Sequence, residues 1–160
     1  MLARSDVFIS AAGGESVADE CLACDVLDGK IEVPGRVIYE DEWWRVDHST
    51  SPVLLAGFVI IKPRRHVEQI GELTVEEAAA FGPLLTRTTR AVQEVLAAEK
   101  VYVCSFGEAV RHLHYYIVPR LPEMPATGPE LILQMFRERT WATTDEAAVA
   151  VADRVRAALG

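Results

Sequence analysis

Apolar residues gather in five short runs that read as strands: Val37–Tyr39, Trp43–Asp47, Phe58–Ile61, Val101–Ser105 and Arg111–Val118. Asp41-Glu42 would sit in the turn between the first two. A different spacing appears from Thr74 onward. Phe81, Leu84, Leu85, Thr88, Val92, Val95 and Leu96 recur at helical intervals. Thr74 and Glu77 have the spacing of a capping box, and Leu73 is placed to pack back on the first turn. Gly82-Pro83 interrupts this run, so the spacing predicts a kink or a fresh start there. Ser16–Leu27 predicts a short helix, and Pro129 suits the first turn of another that runs to Arg137. Thr143 and Glu146 suggest a second capping box. It would open a final helix with Ala147, Ala148, Val151, Ala152, Val155, Ala158 and Leu159 on one face. Strands around one long helix imply an α+β fold.

With 160 residues, half of them hydrophobic, the chain is one domain with tails. Residues 1 to 14 carry small residues and Gly13-Gly14 and read as a disordered tail. Residues 15–120 form the domain, and 121–160 form a helical extension packed on it. No apolar run approaches the roughly 18 residues of a membrane span, and the start lacks a secretory pattern. Three cysteines, two in a Cys-x-x-Cys, do not make a secreted disulfide framework, so the cytoplasm is the expected compartment. A net charge of −8 argues against a broad nucleic-acid surface, though a phosphate pocket needs only local donors. Lys62, Arg64, Arg65, Arg111 and Arg120 lie near the chemically notable segments; each alone also reads as an ordinary surface charge.

The most informative stretch is His112-Leu113-His114-Tyr115-Tyr116-Ile117-Val118-Pro119-Arg120. On a strand, His112, His114 and Tyr116 share one face, and Leu113, Tyr115 and Ile117 share a buried one. Two imidazoles and a phenol in a row are hard to explain as packing, whereas imidazole suits attack, proton transfer or metal binding near neutral pH. Cys21 and Cys24 have the spacing of half a zinc site, but spacing alone also fits a redox pair or two small buried residues. Cys104 reads as a core residue.

These segments resemble the histidine-triad (HIT) family. His112–Tyr116 is similar to its His-x-His-x-His signature, and Gly107–Arg111 occupies the place of its Gly-Gln-x-Val-x approach. Gly57–His66 resembles the segment that ends Pro-Lys-x-His, with Lys62 and Pro63 transposed. Cys21–Cys24 with Gly29 resembles the opening Cys-x-x-Cys element, and Val37–Glu42 the first hairpin strand. The resemblance runs in order from Cys21 to Arg120.

It implies an antiparallel sheet of about five strands, a homodimer, and a nucleotide or nucleotide conjugate as ligand, while the charge and the lack of a long apolar run argue against nucleic acid or membrane as partner. It also implies hydrolysis or nucleotidyl transfer. His114 would attack an α-phosphate to form a nucleotidyl-histidine, in the manner of nucleoside phosphoramidate and dinucleoside polyphosphate hydrolases. The third histidine is Tyr116 here, a donor with an ordinary pKa of about 10 that is not a cation near neutrality. The galactose-1-phosphate uridylyltransferase branch has glutamine there, so a neutral donor is compatible with the chemistry. Glu108 replaces the usual glutamine, and the loop Cys104-Ser105-Phe106 is shorter than in the phosphoramidase branch. Ser105 is a candidate phosphate contact and His48 a candidate pocket residue, which alternatively is an exposed loop histidine. For metal, the resemblance adds His66 and His112 to Cys21 and Cys24. That closed Cys₂His₂ set would hold a structural Zn²⁺. The alternative to an enzyme is a weakly active or inactive zinc-stapled module that binds a nucleotide.

Overall fold

The computed structural model describes residues 21–160. The expected tail, and Ser16–Glu20 of the expected first helix, lie outside the described residues. Helix α1 spans Leu22–Leu27. Five strands follow: β1 Val37–Glu40, β2 Trp44–His48, β3 Val59–Pro63, β4 Lys100–Cys104 and β5 Tyr115–Arg120, with the long helix α2, Val75–Leu96, between β3 and β4. They form one antiparallel sheet in the order β1-β2-β3-β5-β4. Helix α3, Gly128–Leu133, continues into a π-helical turn, Gln134–Glu138, and α4 spans Asp145–Leu159. The α+β architecture, its five antiparallel strands and its C-terminal helices match the pattern read from the chain.

The sheet separates two cores because side chains alternate along each strand. Trp44, Val46, Val59, Ile61, Tyr115 and Ile117 pack with Leu84 and Val92 of α2 and Val151, Ala152 and Val155 of α4. Phe58, Ile60, Tyr116 and Val118 face the other way, against Met124, Leu131, Ile132 and Met135. Half-buried Cys104 packs at the edge of this second core, not inside it.

Asp41 makes the first hairpin turn, accepting from the backbone N–H groups of Trp43 at 2.8 Å and Trp44 at 2.7 Å. The capping box forms as its spacing predicts: Thr74 Oγ1 accepts from Glu77 N–H at 3.2 Å, and Glu77 Oε2 accepts from Thr74 N–H at 2.8 Å. Three expectations need correction. Of the kink or fresh start expected at Gly82-Pro83, the fresh start does not occur, because α2 runs unbroken through Pro83. Both residues are exposed, so the ring meets no packed neighbour, and burial of Leu84, Thr88, Ala91 and Val92 offsets the roughly 3 kcal/mol cost of an interior proline. The cap of α4 is Thr144, whose side chain accepts from Ala147 N–H, while Thr143 N–H donates to Val53 O at 3.1 Å. The last strand begins at Tyr115, not Arg111. Residues 111–114 leave the ladder because Leu113 N–H donates to Val67 O at 2.6 Å and the His112 carbonyl is taken by a side chain.

Candidate functional site

Leu113, Tyr115 and Ile117 pack in one core as their alternation predicts, and the bend before β5 carries the two histidines to different sites. His112 is fully buried against the cysteines. His114, 6% exposed, and Tyr116 line a cavity of about 330 Å³.

Cys21, Cys24, His66 and His112 bring four ligand atoms within 4.8 Å of one another. Cys24 Sγ lies 3.3 Å from His66 Nδ1 and 3.5 Å from His112 Nδ1, and Cys21 Sγ lies 3.8 Å from His112 Nδ1. Tetrahedral Zn²⁺ with ordinary Zn–S and Zn–N bonds separates its ligand atoms by roughly 3.3–3.8 Å. These three sulfur–nitrogen separations fall in that range, and the donor set of two thiols and two imidazoles suits the ion. His112 Nε2–H donates to Pro63 O at 2.9 Å, which leaves Nδ1 unprotonated toward the cluster, the outer-shell bond expected of a histidine ligand. Burial, followed by the neighbouring Cys21, pushes the Cys24 thiol up to about 11. Burial pushes His112 down to about 4, so its ring is neutral as a ligand must be. The sequence after Pro63 anchors this corner. Arg65 grips Glu77 with Nε–Oε1 3.0 Å and Nη2–Oε2 2.8 Å, so the first turn of α2 holds the residue beside His66.

His114 Nδ1–H donates to the His112 carbonyl at 2.6 Å. That bond selects the tautomer whose Nε2 carries a free lone pair. Burial is the main influence that lowers the ring's pKa, opposed by this bond, and Lys62 lowers it further. The Tyr116 ring lies 4.8 Å from the His114 ring, centroid to centroid, tilted by 55°, and packs against Phe58 and Phe136 at 5.1 and 5.5 Å. Burial, then Cys104, then Glu108 raise the phenol's pKa, so it is a neutral donor near pH 7.

His48 is buried, not an exposed loop residue. It accepts from Gly57 N–H at Nε2, 2.9 Å away, and its Nδ1–H donates to Ser49 O at 3.1 Å. Both nitrogens are spent, so this cavity-wall histidine shapes the pocket and offers it no free donor or acceptor. Gly57 sits at φ +88°, and a Cβ there would lie 2.3 Å from Leu96 Cδ1, so only glycine brings that amide to the ring. Ser105 and Glu108 are exposed and stand outside the set of cavity-lining residues.

Several wall residues escaped the sequence reading as pocket residues. Phe136 and Arg139 come from the turn after α3; Arg139 caps it at φ +54°. Lys62 lines the wall as well, its ammonium on Asp47. In the sequence it stands only among the basic residues near the chemically notable segments, where it also reads as an ordinary surface charge. No carboxylate lines the cavity among the described residues, while Lys62 and Arg139 do, so this wall reverses the sign of the whole chain's charge.

The chain is similar to Protein hit of Bacillus subtilis (strain 168), 26% identical over 108 residues that cover 64% of this chain and 72% of that protein. Among solved structures, a Hit-like protein involved in cell-cycle regulation from Bartonella henselae shares the fold with a TM-score of 0.68 and 19% identity, over 88% of this chain and 96% of that one. So does a Zn-bound histidine triad family protein from Mycobacterium smegmatis, with a TM-score of 0.65 and 23% identity, over 87% and 92%. The HIT domain model matches residues 30–123, more than half of the sequence, and the chain belongs to the HIT domain family.

Proposed function

We propose that this protein is a nucleotide hydrolase or nucleotidyl transferase that works through a covalent histidine intermediate. The observation that carries the reading is the 2.6 Å bond from His114 Nδ1–H to the His112 carbonyl in a ring that also lines the cavity. Nε2 of the neutral ring attacks the α-phosphorus. An N–P bond forms, the bond from phosphorus to the leaving group breaks, and the leaving group departs with the electron pair. Tyr116 is the donor beside that group. Water or another acceptor then breaks the N–P bond and restores the ring. The apolar and aromatic wall suits a base, and the basic residues on it suit phosphate.

The cysteine–histidine cluster holds Zn²⁺ in this reading. Four protein ligands leave no open position, so the metal's part is structural: it ties the segment before β1 to the approach to His114. The reading extends to a homodimer, supported by exposed Val103 on the edge strand β4 and exposed Phe106 beyond it. It also includes cytoplasmic residence, since a reducing compartment keeps Cys21 and Cys24 out of a disulfide and available as ligands.

The test is turnover of adenosine phosphoramidate and of diadenosine polyphosphates by the protein and by His114→Ala. Loss in the variant supports the nucleophile; equal turnover discards it. Tyr116 favours one second reading, a zinc-stapled module that binds a nucleotide and turns it over slowly, because a neutral phenol is a poorer acid than an imidazolium. Tight binding without measurable turnover by the unaltered protein would select it. Metal analysis of protein never exposed to chelator tests the zinc, and a ratio near zero per chain removes it.

A further inference from the structure

We propose that Lys62 supplies the phosphate-facing cation of this cavity, through a buried Arg45–Asp47–Lys62 network that lies outside the histidine motif. The proposal rests on the reading above that the cavity takes a nucleotide. The register of β2 against β3 sets Arg45 opposite Lys62 and Asp47 opposite Ile60, so the three charged side chains share one face of the sheet. Asp47 is fully buried, and Arg45 and Lys62 are 9% and 4% exposed. Arg45 Nε donates to both Asp47 oxygens, at 2.9 and 3.1 Å, and its Nη1 to Leu27 O at 3.2 Å. Lys62 Nζ donates to Asp47 Oδ2.

Two cations thus share one carboxylate, which leaves one positive charge uncompensated. Glu40 is the other carboxylate that faces Lys62, and Arg64 engages it at 3.0 Å. Asp47 is the only acceptor for the Lys62 ammonium among the described residues, so two of its three N–H groups are unspent. A buried charge without a counterion is costly, and an anion that enters beside it relieves that cost. Lys62 lines the same wall as His114. The occupant that suits both is a phosphate oxygen, with the aromatic residues left for the base. Lys62 therefore provides a fixed cation where Tyr116 provides none.

The experiment measures binding of AMP, GMP, adenosine and guanosine to the full chain by calorimetry, in the unaltered protein and in Lys62→Met, Lys62→Gln and Lys62→Arg. Removing the lysine leaves Arg45 and Asp47 as a one-to-one pair, so the interior keeps its balance, and glutamine stands in should methionine fail to fold. The unaltered protein is expected to bind a nucleotide at least tenfold more tightly than its nucleoside. Met or Gln should weaken the nucleotide by about ten- to a hundredfold, the scale of a charge-assisted hydrogen bond, without change for the nucleoside. Arginine should restore most of the loss. An unchanged preference for nucleotide over nucleoside in Met or Gln overturns the inference while the nucleotide reading stands. Equal losses for both ligands also overturn it, by showing a structural role. If the unaltered protein binds none of the four, the nucleotide reading falls and the inference with it.

Discussion

His112 and His114 are two residues apart, both buried, and both neutral near pH 7, yet they belong to regions of opposite character. Around His112 every donor and acceptor is directed at another member of the cluster or at backbone: Nδ1 at the cysteines, Nε2–H at Pro63 O. Around His114 one nitrogen is used and the other is not, and Lys62 beside it keeps unspent donors. A saturated polar group stabilises structure, because nothing is left to give a ligand. An unsaturated one at a cavity wall is costly until something arrives. His48 follows the first rule although it lines the cavity, since Gly57 and Ser49 take both its nitrogens.

The sharpest way to break the contrast is to remove each imidazole in turn. His114→Ala should lower turnover by roughly a thousandfold or more, the scale of a lost nucleophile, and leave the unfolding temperature nearly unchanged. Steady-state kinetics and a thermal melt on the same sample decide it. Chelation, or Cys24→Ser, should act on the other side. A metal present at a thousand times its Kd contributes about 4 kcal/mol, so the melting temperature should fall by about 10 °C or more. A melt that ignores chelator would place the cluster's stabilisation in packing alone.

Tyr116→Phe sharpens the comparison within the cavity. It keeps the ring contacts with Phe58 and Phe136 and removes only the hydroxyl, so kcat should drop about tenfold, near the value of one hydrogen bond, while stability holds. The smallest effect belongs to the cluster side. Thr74→Ala should cost about 1 kcal/mol of stability through the lost cap, with activity per folded molecule unchanged. A fall in activity there would show that the Glu77–Arg65 tie beside His66 reaches the cavity.

Local chemistry explains which parts were legible beforehand. The capping box at Thr74, the turn at Asp41-Glu42 and the strand runs of β2 and β3 depend on neighbours within a few residues, and they stand where the sequence pattern placed them to within a residue or two. The unbroken helix at Pro83 was illegible because packing of Leu84 and Val92 some residues away outweighs a local penalty. The shift of the α4 cap to Thr144 has the same kind of cause, since Thr143 is claimed by Val53 from a distant loop.

The sequence by itself determined the secondary elements, the α+β class and the residue types that carry the chemistry, because periodicity, caps and motif spacing act over short stretches. The family resemblance had already grouped Cys21, Cys24, His66 and His112, and they meet; only the tertiary structure decided that residues 111–114 bend out of the ladder and that Phe136 and Arg139 line the cavity. It also decided that Lys62 lies buried against Asp47 rather than solvated. Those outcomes depend on contacts between residues far apart in the chain, where burial and unmet hydrogen bonds, not spacing, set the energy.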